Sequence, residues 1–309
     1  MPSRLMLLDT ASLYFRAFYG VPDSIRRPDG TPVNAVRGLL DMIGRLVVEY
    51  EATHLVACWD DAWRPSWRVA LIPSYKEHRV ESTRGGTSVE VVPDGLTAQI
   101  PLIREALAAA GIAVVGAADH EADDVIGSYA TQAQMPVDVV TGDRDLFQLV
   151  DDDRGIRVIY TARGMKNLEV LTDAVVVKKY RVLPSQYADY AALRGDTSDG
   201  LPGVAGIGEK TASSLLLEHG TLEALLRADD LSPSVAAKLE AAADYLAVAP
   251  RVVNVVRDLA LPSLDEIGAR LGPVTDAGRA TLEQLAEPEE WNLGGSVKRL
   301  LGALDAVGG

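Results

Sequence analysis

The sequence predicts an α/β fold in which a mostly parallel central sheet is flanked by helices and followed by a helical C-terminal region. In the first half of the chain, short apolar strands alternate with amphipathic helices, which is typical of a parallel sheet covered on both faces. After about residue 180 the strand-like segments stop and only helical spacing continues. The predicted strands are residues 4–8, 54–59, 112–115, 137–140 and 156–159.

The predicted helices follow from apolar residues that recur every three or four positions. Gly111 comes directly after one of them, at the position where a left-handed cap is expected. Helix prediction is least clear beyond residue 251, where the apolar spacing is weak. The predicted helices are residues 33–50, 96–110, 121–134, 184–193, 209–219, 222–227, 235–247, 265–271 and 296–304.

Composition limits the class of protein. The chain has 309 residues, of which 48% are hydrophobic and 24% charged, as in ordinary globular proteins. The single Cys58 excludes a disulfide framework and a thiolate zinc site, which favours a reducing compartment. No apolar run approaches about 18 residues, so we expect a soluble, cytoplasmic protein with no membrane partner. The net charge of −14 opposes simple nucleic-acid binding, although residues 64–84 carry a local excess of basic side chains.

Acidic residues stand where the predicted strands end. Asp9 follows the first strand, Asp60 and Asp61 follow the second, and Asp143 and Asp145 follow the fourth. The carboxyl ends of parallel strands line one crevice, where ligands bind, so these acids should converge. A single strand-end aspartate is more often a turn or a helix cap, but independent caps have no reason to fall at the same end of three strands.

The segment from Glu121 to Asp124 adds three more acids, Glu121, Asp123 and Asp124, at a helix start. Taken alone they could be first-turn acids that favour the helix dipole. Many carboxylates without basic partners would repel one another and take up protons, and bound divalent cations resolve that conflict. Oxygen-only donors favour magnesium or manganese over zinc. The acidic run 151–153 is interpreted as a solvated loop.

A glycine-rich loop at residues 194–211 is the second signal. Gly203, Gly206 and Gly208 would let backbone amides approach a phosphate, next to the N-terminus of a helix that carries Lys210 and Thr211. Such a loop grips a sugar-phosphate chain without reading bases. The alternative is a nucleotide-hydrolase phosphate loop, but Glu209 is inserted before the lysine and no strand precedes the loop.

With these motifs in place, the sequence resembles the bacterial 5′ nuclease family, which includes flap endonucleases, 5′-3′ exonucleases and the N-terminal domain of DNA polymerase I. The motifs occur in the family's order over about residues 4–260. They are Leu8-Asp9-Thr10-Ala11-Ser12 with Arg16-Ala17-Phe18, Trp59-Asp60 with Arg68, Tyr75-Lys76-Glu77-His78-Arg79, Glu121-Ala122-Asp123-Asp124, Thr141-Gly142-Asp143-Arg144-Asp145-Leu146, and Gly195-Asp196 through Lys210-Thr211.

The resemblance implies a PIN-like 5′ nuclease fold with a catalytic domain at residues 1–180 and a helical DNA-binding region at 181–309. It further implies a helical arch or clamp at about 76–95, through which a 5′ single strand passes, and a helix-hairpin-helix at about 186–219, which holds the duplex and often a potassium ion. Lys76 and Arg79 would face the scissile phosphate, and Tyr75 would stack on a terminal base. Arg16, Gly203, Gly206, Gly208, Lys210 and Thr211 would contact DNA.

The resemblance also implies two metal sites. The first metal would be held, directly or through water, by Asp9, Asp60, Glu121, Asp123, Asp124 and Asp143. Asp145, Asp196 and Asp199 would serve the second.

Two positions depart from the family pattern. The family usually has asparagine where Gly200 stands, and Asp60 competes with Asp61 as the ligand after the second strand. No polymerase-like segment follows, so we expect the stand-alone form.

The expected activity is two-metal-ion hydrolysis of DNA with 5′ flaps, 5′ ends or nicks, in replication and repair, alongside DNA polymerase and ligase and in association with the nucleoid. The alternatives are an inactive structure-specific DNA-binding protein and a ribonuclease on the same fold.

Overall fold

The computed structural model describes residues 2–84 and 87–308, and eight strands form within them. They are β1 (Leu5–Asp9), β2 (His54–Cys58), β3 (Val80–Arg84), β4 (Thr87–Glu90), β5 (Ala113–Val115), β6 (Val137–Thr141), β7 (Ile156–Tyr160) and β8 (Glu169–Leu171). Six of them form one sheet in the order β5-β2-β1-β6-β7-β8. Its neighbouring strands are parallel except for β8, which pairs antiparallel with β7 at one edge.

Helices cover both faces of this sheet. They are α1 (Thr10–Gly20), α2 (Asn34–Glu49), α3 (Ser66–Leu71), α4 (Asp94–Thr97), α5 (Ile100–Ala109), α6 (Ala122–Gln132), α7 (Asp173–Tyr180), α8 (Tyr187–Arg194), α9 (Glu209–His219), α10 (Leu222–Arg227), α11 (Pro233–Ala241), α12 (Ala243–Leu246), α13 (Ala249–Val253), α14 (Asp276–Ala286) and α15 (Gly295–Gly308).

Each face of the sheet has its own apolar core. Along β1, Leu5 and Leu7 face a core that includes residues of α6, α8, α9 and α13. Met6 and Leu8 face the opposite core, built with α1, α2, α5, α14 and α15. All four side chains are fully buried. Burial of such a side chain contributes about 1.5–3 kcal/mol, so the continuous apolar runs of the central strands specify a sheet covered on both sides.

Most predicted elements are confirmed, with ends that differ by a few residues. Gly111 takes the expected left-handed conformation, with φ of +71°. The helix predicted at residues 265–271 is wrong: the chain there is irregular, and Gly268 has φ of +64°. The sequence interpretation also missed α1, α7, α14 and the edge strand β8. The short α7 and β8 carry little apolar periodicity, which is the signal on which prediction depends.

The connection predicted as a helical arch is a β-hairpin. β3 and β4 pair antiparallel from Val80 with Glu90 to Arg84 with Thr87. Their residues are rich in valine, threonine and serine, and β-branched side chains favour strands over helices. The helical form of the arch is therefore wrong for this chain. The glycines at the tip, residues 85 and 86, lie outside the described residues.

The last two helices return to the first part of the chain. α15 packs along α2, and α14 packs against α5. Gly44 of α2 lies at this contact, and a Cβ there would lie 3.4 Å from Cα of Leu300. Residues 276–308 thus cover the sheet domain instead of extending the helical region predicted at 181–309. No helix among the described residues combines the length and the apolar character needed to cross a bilayer.

Candidate active site

The carboxyl ends of three neighbouring strands bring acidic side chains together. Asp9 is the last residue of β1, while Asp60 and Asp143 each lie two residues beyond β2 and β6. These strands are adjacent and parallel, so their ends open on one edge of the sheet. α6 begins at the same edge, with Glu121 as its N-cap and Asp123 in its first turn. The strand-end acids therefore converge as the sequence predicts.

The converging side chains line a cavity of about 230 Å³. Lys76 and Arg79, the predicted phosphate-facing residues, lie on its wall. Phe15, Trp63 and Glu90 complete the wall, and the sequence interpretation missed all three. The predicted acids that line this cavity are Asp9, Asp60, Glu121, Asp123 and Asp143.

Burial and mutual repulsion raise the pKa values of these carboxyl groups. Burial raises the pKa of Asp9 to about 7, against hydrogen bonds from Thr141 Oγ1 at 2.7 Å and the Ser12 amide at 3.1 Å. The pKa of Asp123 rises well above its ordinary value through burial first and then the charges of Asp143 and Asp9. Carboxyl groups in this situation take up protons unless positive charge neutralises them.

Asp124 lies apart from the cavity and is held by a buried arginine. Arg68, only 2% exposed, donates from Nη2 to Asp124 Oδ1 at 2.7 Å and from Nη1 to both Asp124 Oδ2 and Glu121 Oε2 at 2.8 Å. Asp124 also accepts from the amides of Val256 at 2.9 Å and Glu121 at 3.3 Å. Both of its oxygens thus accept hydrogen bonds, so its predicted role as a metal ligand, which stays a prediction, would require Arg68 to share this carboxylate.

Tyr75 and Lys76 fix Glu121 from the other side. Tyr75 is 3% exposed and its hydroxyl donates to Glu121 Oε2 at 2.7 Å, so its predicted stacking on a terminal base would require this side chain to move. Lys76 Nζ contacts Glu121 Oε1, and its own amide donates to the Asp199 carbonyl at 2.9 Å. Lys76 has φ of +49°, an uncommon left-handed conformation for a lysine. The expectation that the acids lack basic partners is therefore corrected for Glu121.

Asp60 and Asp61, the two candidates for the metal ligand after the second strand, differ in where their side chains lie. Asp60 lines the cavity, and its Oδ1 accepts from the Ala122 amide at the start of α6 at 2.8 Å. Burial raises the pKa of Asp60. The Asp61 side chain is 43% exposed and lies 3.9 Å from Arg104 Nη2. The structure therefore favours Asp60 as the residue of the site.

Asp145 and Asp199, predicted for the second metal, lie close to Asp143. Burial raises the pKa of Asp145 well above its ordinary value, and the nearby charges of Asp143, Asp199 and Asp196 add to the effect. Asp199 is 7% exposed and accepts a hydrogen bond from Arg79 Nη2 at 3.2 Å. These acids extend the carboxylate cluster past the cavity wall toward the glycine-rich loop.

Asp196 differs from the other acids because it is already paired. It accepts from the Ser198 amide at 2.9 Å, from the Ser198 hydroxyl and from Arg194 Nη2 at 2.9 Å. Although burial acts in the opposite direction, these contacts hold the pKa of Asp196 below its ordinary value. These contacts hold the Asp196 side chain in the turn at residues 196–201. To bind a metal, as predicted, Asp196 would have to lose its hydrogen bonds from Ser198 or from Arg194.

The glycine-rich loop connects α8 to α9, as the predicted helix-hairpin-helix requires. Gly203 and Gly206 have positive φ, +66° and +77°. A Cβ on Gly203 would lie 2.4 Å from the Gly195 amide, so this glycine serves close packing against the end of α8. Gly206 and Gly208 are exposed and remain open to a phosphate. A helix, and no strand, precedes the loop, which excludes the nucleotide-hydrolase interpretation.

Basic side chains surround this loop. Lys210 is exposed in the first turn of α9, and Thr211 beside it is half-buried. Lys238, which the sequence interpretation missed, reaches over from α11 and donates to the Gly206 carbonyl at 3.1 Å. It lies outside the motif, so no local pattern pointed to it.

A second cavity of about 490 Å³ adjoins the first and shares Arg79 and Asp143 with it. Arg144, Arg163 and Lys179 make its lining basic. Arg144 lies between Asp143 and Asp145, two predicted metal ligands, so its position in the sequence could have indicated a place at the site. Arg163 and Lys179 lie outside any motif.

A third cavity of about 800 Å³ is bordered by Arg16, which is predicted to contact DNA. Phe15 connects it to the first cavity, and Tyr19 on its border is 72% exposed. Arginine and aromatic side chains of this kind are typical of nucleic-acid surfaces.

The donor chemistry of the cluster fits divalent cations. Asp123 and Asp145 accept no hydrogen bond from any other described side chain or amide, and their pKa values are raised by burial and by neighbouring acids. Carboxylates in this situation need nearby positive charge to remain ionised. Within residues 2–84 and 87–308, no three or more histidine, cysteine, aspartate or glutamate side chains are already arranged to hold one ion. Ligation would therefore need side chains of the cluster to rotate.

Two family models match the chain in succession: the 5′-3′ exonuclease N-terminal resolvase-like domain at residues 4–181, and the 5′-3′ exonuclease C-terminal SAM fold at residues 182–273. The chain belongs to the 5′-3′ exonuclease family. A family member from Streptomyces coelicolor, a 5′-3′ exonuclease, is 56% identical over 307 residues, which cover 97% of this chain and 100% of that protein. A 5′-3′ exonuclease from Mycobacterium tuberculosis is 45% identical and is covered over 100% of both chains.

The exonuclease-family chain also resembles part of larger proteins. DNA polymerase I of Mycobacterium bovis is 42% identical over 72% of this chain, a match that spans 24% of the polymerase. Among solved structures, the T5 D15 protein co-crystallised with metal ions has a TM-score of 0.63 at 17% identity, covering 98% of this chain and 100% of that one. Flap endonuclease-1 from Methanococcus jannaschii has a TM-score of 0.57 at 16% identity, covering 98% and 93%. These likenesses confirm the predicted fold class.

Proposed function

We propose that this chain is a structure-specific 5′ nuclease that hydrolyses DNA phosphodiesters, as a 5′-3′ exonuclease and a 5′-flap endonuclease, in DNA replication and repair. The observation that carries the proposal is the cavity where Asp9, Asp60, Asp123 and Asp143 face Lys76. A phosphodiester would lie between cations held by the acids and the basic side chain of Lys76. The relatives with full-length coverage are named 5′-3′ exonucleases, which supports the same activity.

The acids would hold about two divalent cations, magnesium or manganese, since all the donors are oxygens. Asp9, Asp60, Asp123 and Asp143 would serve the first, with Glu121 beside them, and Asp145 and Asp199 the second. When bound, such ions lower the pKa of a water for attack on phosphorus and stabilise the leaving 3′ oxygen. The burial that raises the pKa of Asp9 to about 7 would be offset by the same positive charge.

Lys76 and Arg79 would orient the scissile phosphate and oppose the negative charge that develops on it. Both are held in place before any substrate arrives: Lys76 by Glu121, and Arg79 by the Ser198 carbonyl at 2.7 Å. Groups that are already oriented need no rearrangement during the reaction, so they act more strongly. Hydrolysis would leave a 5′-phosphate and a 3′-hydroxyl.

Three basic surfaces would hold the rest of the substrate. The loop with Gly206, Gly208 and Lys210 would grip the duplex backbone, with potassium as a candidate ion there. The cavity lined by Arg144, Arg163 and Lys179 and the one bordered by Arg16 would take further phosphates. These surfaces explain how a chain with a net charge of −14 could bind DNA, since much of its acidity lies at the metal cluster.

The proposed function is tested by neutralising one buried acid. Asp145→Asn should abolish magnesium-dependent cleavage of a 5′-flap DNA while binding, measured by fluorescence anisotropy in calcium, is retained. The matched control is Asp153→Asn, because Asp153 is exposed in the turn between β6 and β7. Undiminished cleavage by Asp145→Asn, or equal losses in both variants, would refute the assignment.

Cleavage assays on flap substrates also test two alternative functions. An inactive DNA-binding protein would bind the flap but show no cleavage at any magnesium concentration. A ribonuclease on this fold would cut an RNA flap in preference to a DNA flap of the same sequence. The open glycine loop, which suits a duplex backbone, favours DNA.

We further propose that the protein works in the cytoplasm at the nucleoid, with a DNA polymerase and a DNA ligase as functional partners. A flap arises when a polymerase displaces a strand, and a nick with a 5′-phosphate and a 3′-hydroxyl is what remains after its removal. A reconstituted gap-filling reaction, with sealing measured with and without this chain, tests the partnership.

A further inference from the structure

The hairpin of β3 and β4, residues 80–84 and 87–90, has no opening between its two legs. The strands are paired at Val80 with Glu90, Ser82 with Val89, Thr83 with Ser88 and Arg84 with Thr87, with a register shift between Val80 and Ser82. Below the hairpin, the Val91 amide donates to the Arg79 carbonyl at 2.9 Å, so the legs are joined at the base as well. Paired strands lie about 4.7–4.9 Å apart, which leaves no room for a nucleic-acid strand between them.

Trp63 and Arg64 fasten the described part of the hairpin to the body of the protein. Trp63 Nε1 donates to the Ser88 carbonyl at 3.2 Å, and Arg64 Nη1 donates to Ser88 Oγ at 3.0 Å. Arg64 is itself fixed by the carbonyls of Tyr75 at 2.6 Å and Pro73 at 2.7 Å. Among the described residues, these are the side-chain hydrogen bonds that join the two strands to the body. The hairpin therefore stands as a wall, with Glu90 turned into the cavity.

One side of the site is basic, and no described residue of the hairpin lines it. The second cavity, which continues from Arg79 and Asp143, contains no residue of β3 or β4 in its lining. Arg144, Arg163 and Lys179 provide positive charge along this side. A single strand can thus reach the acidic cluster sideways, with its phosphates along the basic cavity, and need not be fed through a closed ring from its end.

We propose that this chain cuts single strands without threading a free 5′ end, and that its substrates therefore include flaps with blocked 5′ ends and single-stranded bubbles in covalently closed DNA. This inference rests on the proposed nuclease function. It departs from the arch expectation, in which a 5′ single strand passes through an opening. Three observations favour lateral entry. The two strands of the hairpin are paired, Trp63 and Arg64 anchor the described part of the hairpin to the body, and the basic cavity has no described hairpin residue in its lining.

The test compares three forms of one long 5′-flap DNA with the full chain and magnesium. One form is free, one carries 5′-biotin with streptavidin bound before the enzyme is added, and one carries streptavidin on the 3′ end of the same strand to control for bulk. We expect all three to be cut at the same junction and at similar rates. A closed circular duplex with an unpaired bubble should also be nicked within the bubble.

The outcomes separate the two proposals. If the free and 3′-blocked flaps are cut but the 5′-blocked flap is cut more than about tenfold slower, equivalent to about 1.4 kcal/mol in the barrier, lateral entry is overturned and the nuclease function stands. Protection of the closed bubble alongside a cut free flap has the same meaning. Failure to cut even the free flap overturns both proposals.

Discussion

Replacing Arg68 with methionine should destabilise the folded chain because it leaves the buried Asp124 without a cation and Glu121 with Lys76 alone. The arginine is 2% exposed and its partners are buried to the same degree, with side-chain exposures of 4% for Glu121 and 0% for Asp124. Methionine replaces the aliphatic stem of Arg68 but leaves the volume of the guanidinium group unfilled. The loss therefore has an electrostatic part, from the unpaired Asp124, and a packing part.

The magnitude follows from the contacts that disappear. Arg68 makes three hydrogen bonds of 2.7–2.8 Å to Glu121 and Asp124 and one of 3.1 Å to the Val252 carbonyl. Removal of one partner from a buried ion pair costs about 3–5 kcal/mol. In a chain of this size each kcal/mol lowers Tm by about 2 °C, so Tm should fall by about 6–10 °C.

Thermal unfolding followed by circular dichroism, without divalent metal, measures this difference. The control is Arg227→Met, which removes an exposed pair with Glu223 whose side chains are 76% and 72% exposed. It should cost less than about 1 kcal/mol. The double variant Arg68→Met with Asp124→Leu should recover part of the loss, because the unpaired charge is then gone. Equal Tm values for Arg68→Met and Arg227→Met would refute the reasoning.

Two further predictions concern the site and its neighbouring loop. Because burial raises the folded-state pKa of Asp9 to about 7, above the ordinary 3.8, its contribution to stability is complete below pH 3.8 and is lost as pH rises through about 7. Asp9→Asn should therefore raise Tm in EDTA at about pH 8 and much less at about pH 5; an equal change at both pH values contradicts this. Gly200→Asn should lower stability by about 1–3 kcal/mol in denaturant unfolding, since Gly200 has φ of +69° and a Cβ there would lie 2.1 Å from the Ser74 carbonyl oxygen. Gly302→Ala, in open space on α15, is the control, and wild-type stability of Gly200→Asn would show that the loop can move.

The sequence predicted the site well where the signal was local. Asp9, Asp60 and Asp143 were placed by the strands that precede them, and parallel neighbours necessarily end at one edge. The glycine-rich loop was recognised from its own residues, and Gly206 and Gly208 are indeed exposed. The hydrogen bonds of Asp124 and Tyr75 were not predicted, because both depend on a partner elsewhere in the chain.

The alternation of apolar strands and helices determined a covered parallel sheet, and the strand-end acids determined its acidic edge, since both depend on side chains within a few residues of one another. Only the tertiary structure decided which acids are free. Arg68 lies 53 and 56 positions from Glu121 and Asp124, so no local sequence pattern predicts their contact. It also decided that residues 80–84 pair with residues 87–90 and that α15 covers α2, because pairing and packing depend on surfaces that exist only once the chain has folded.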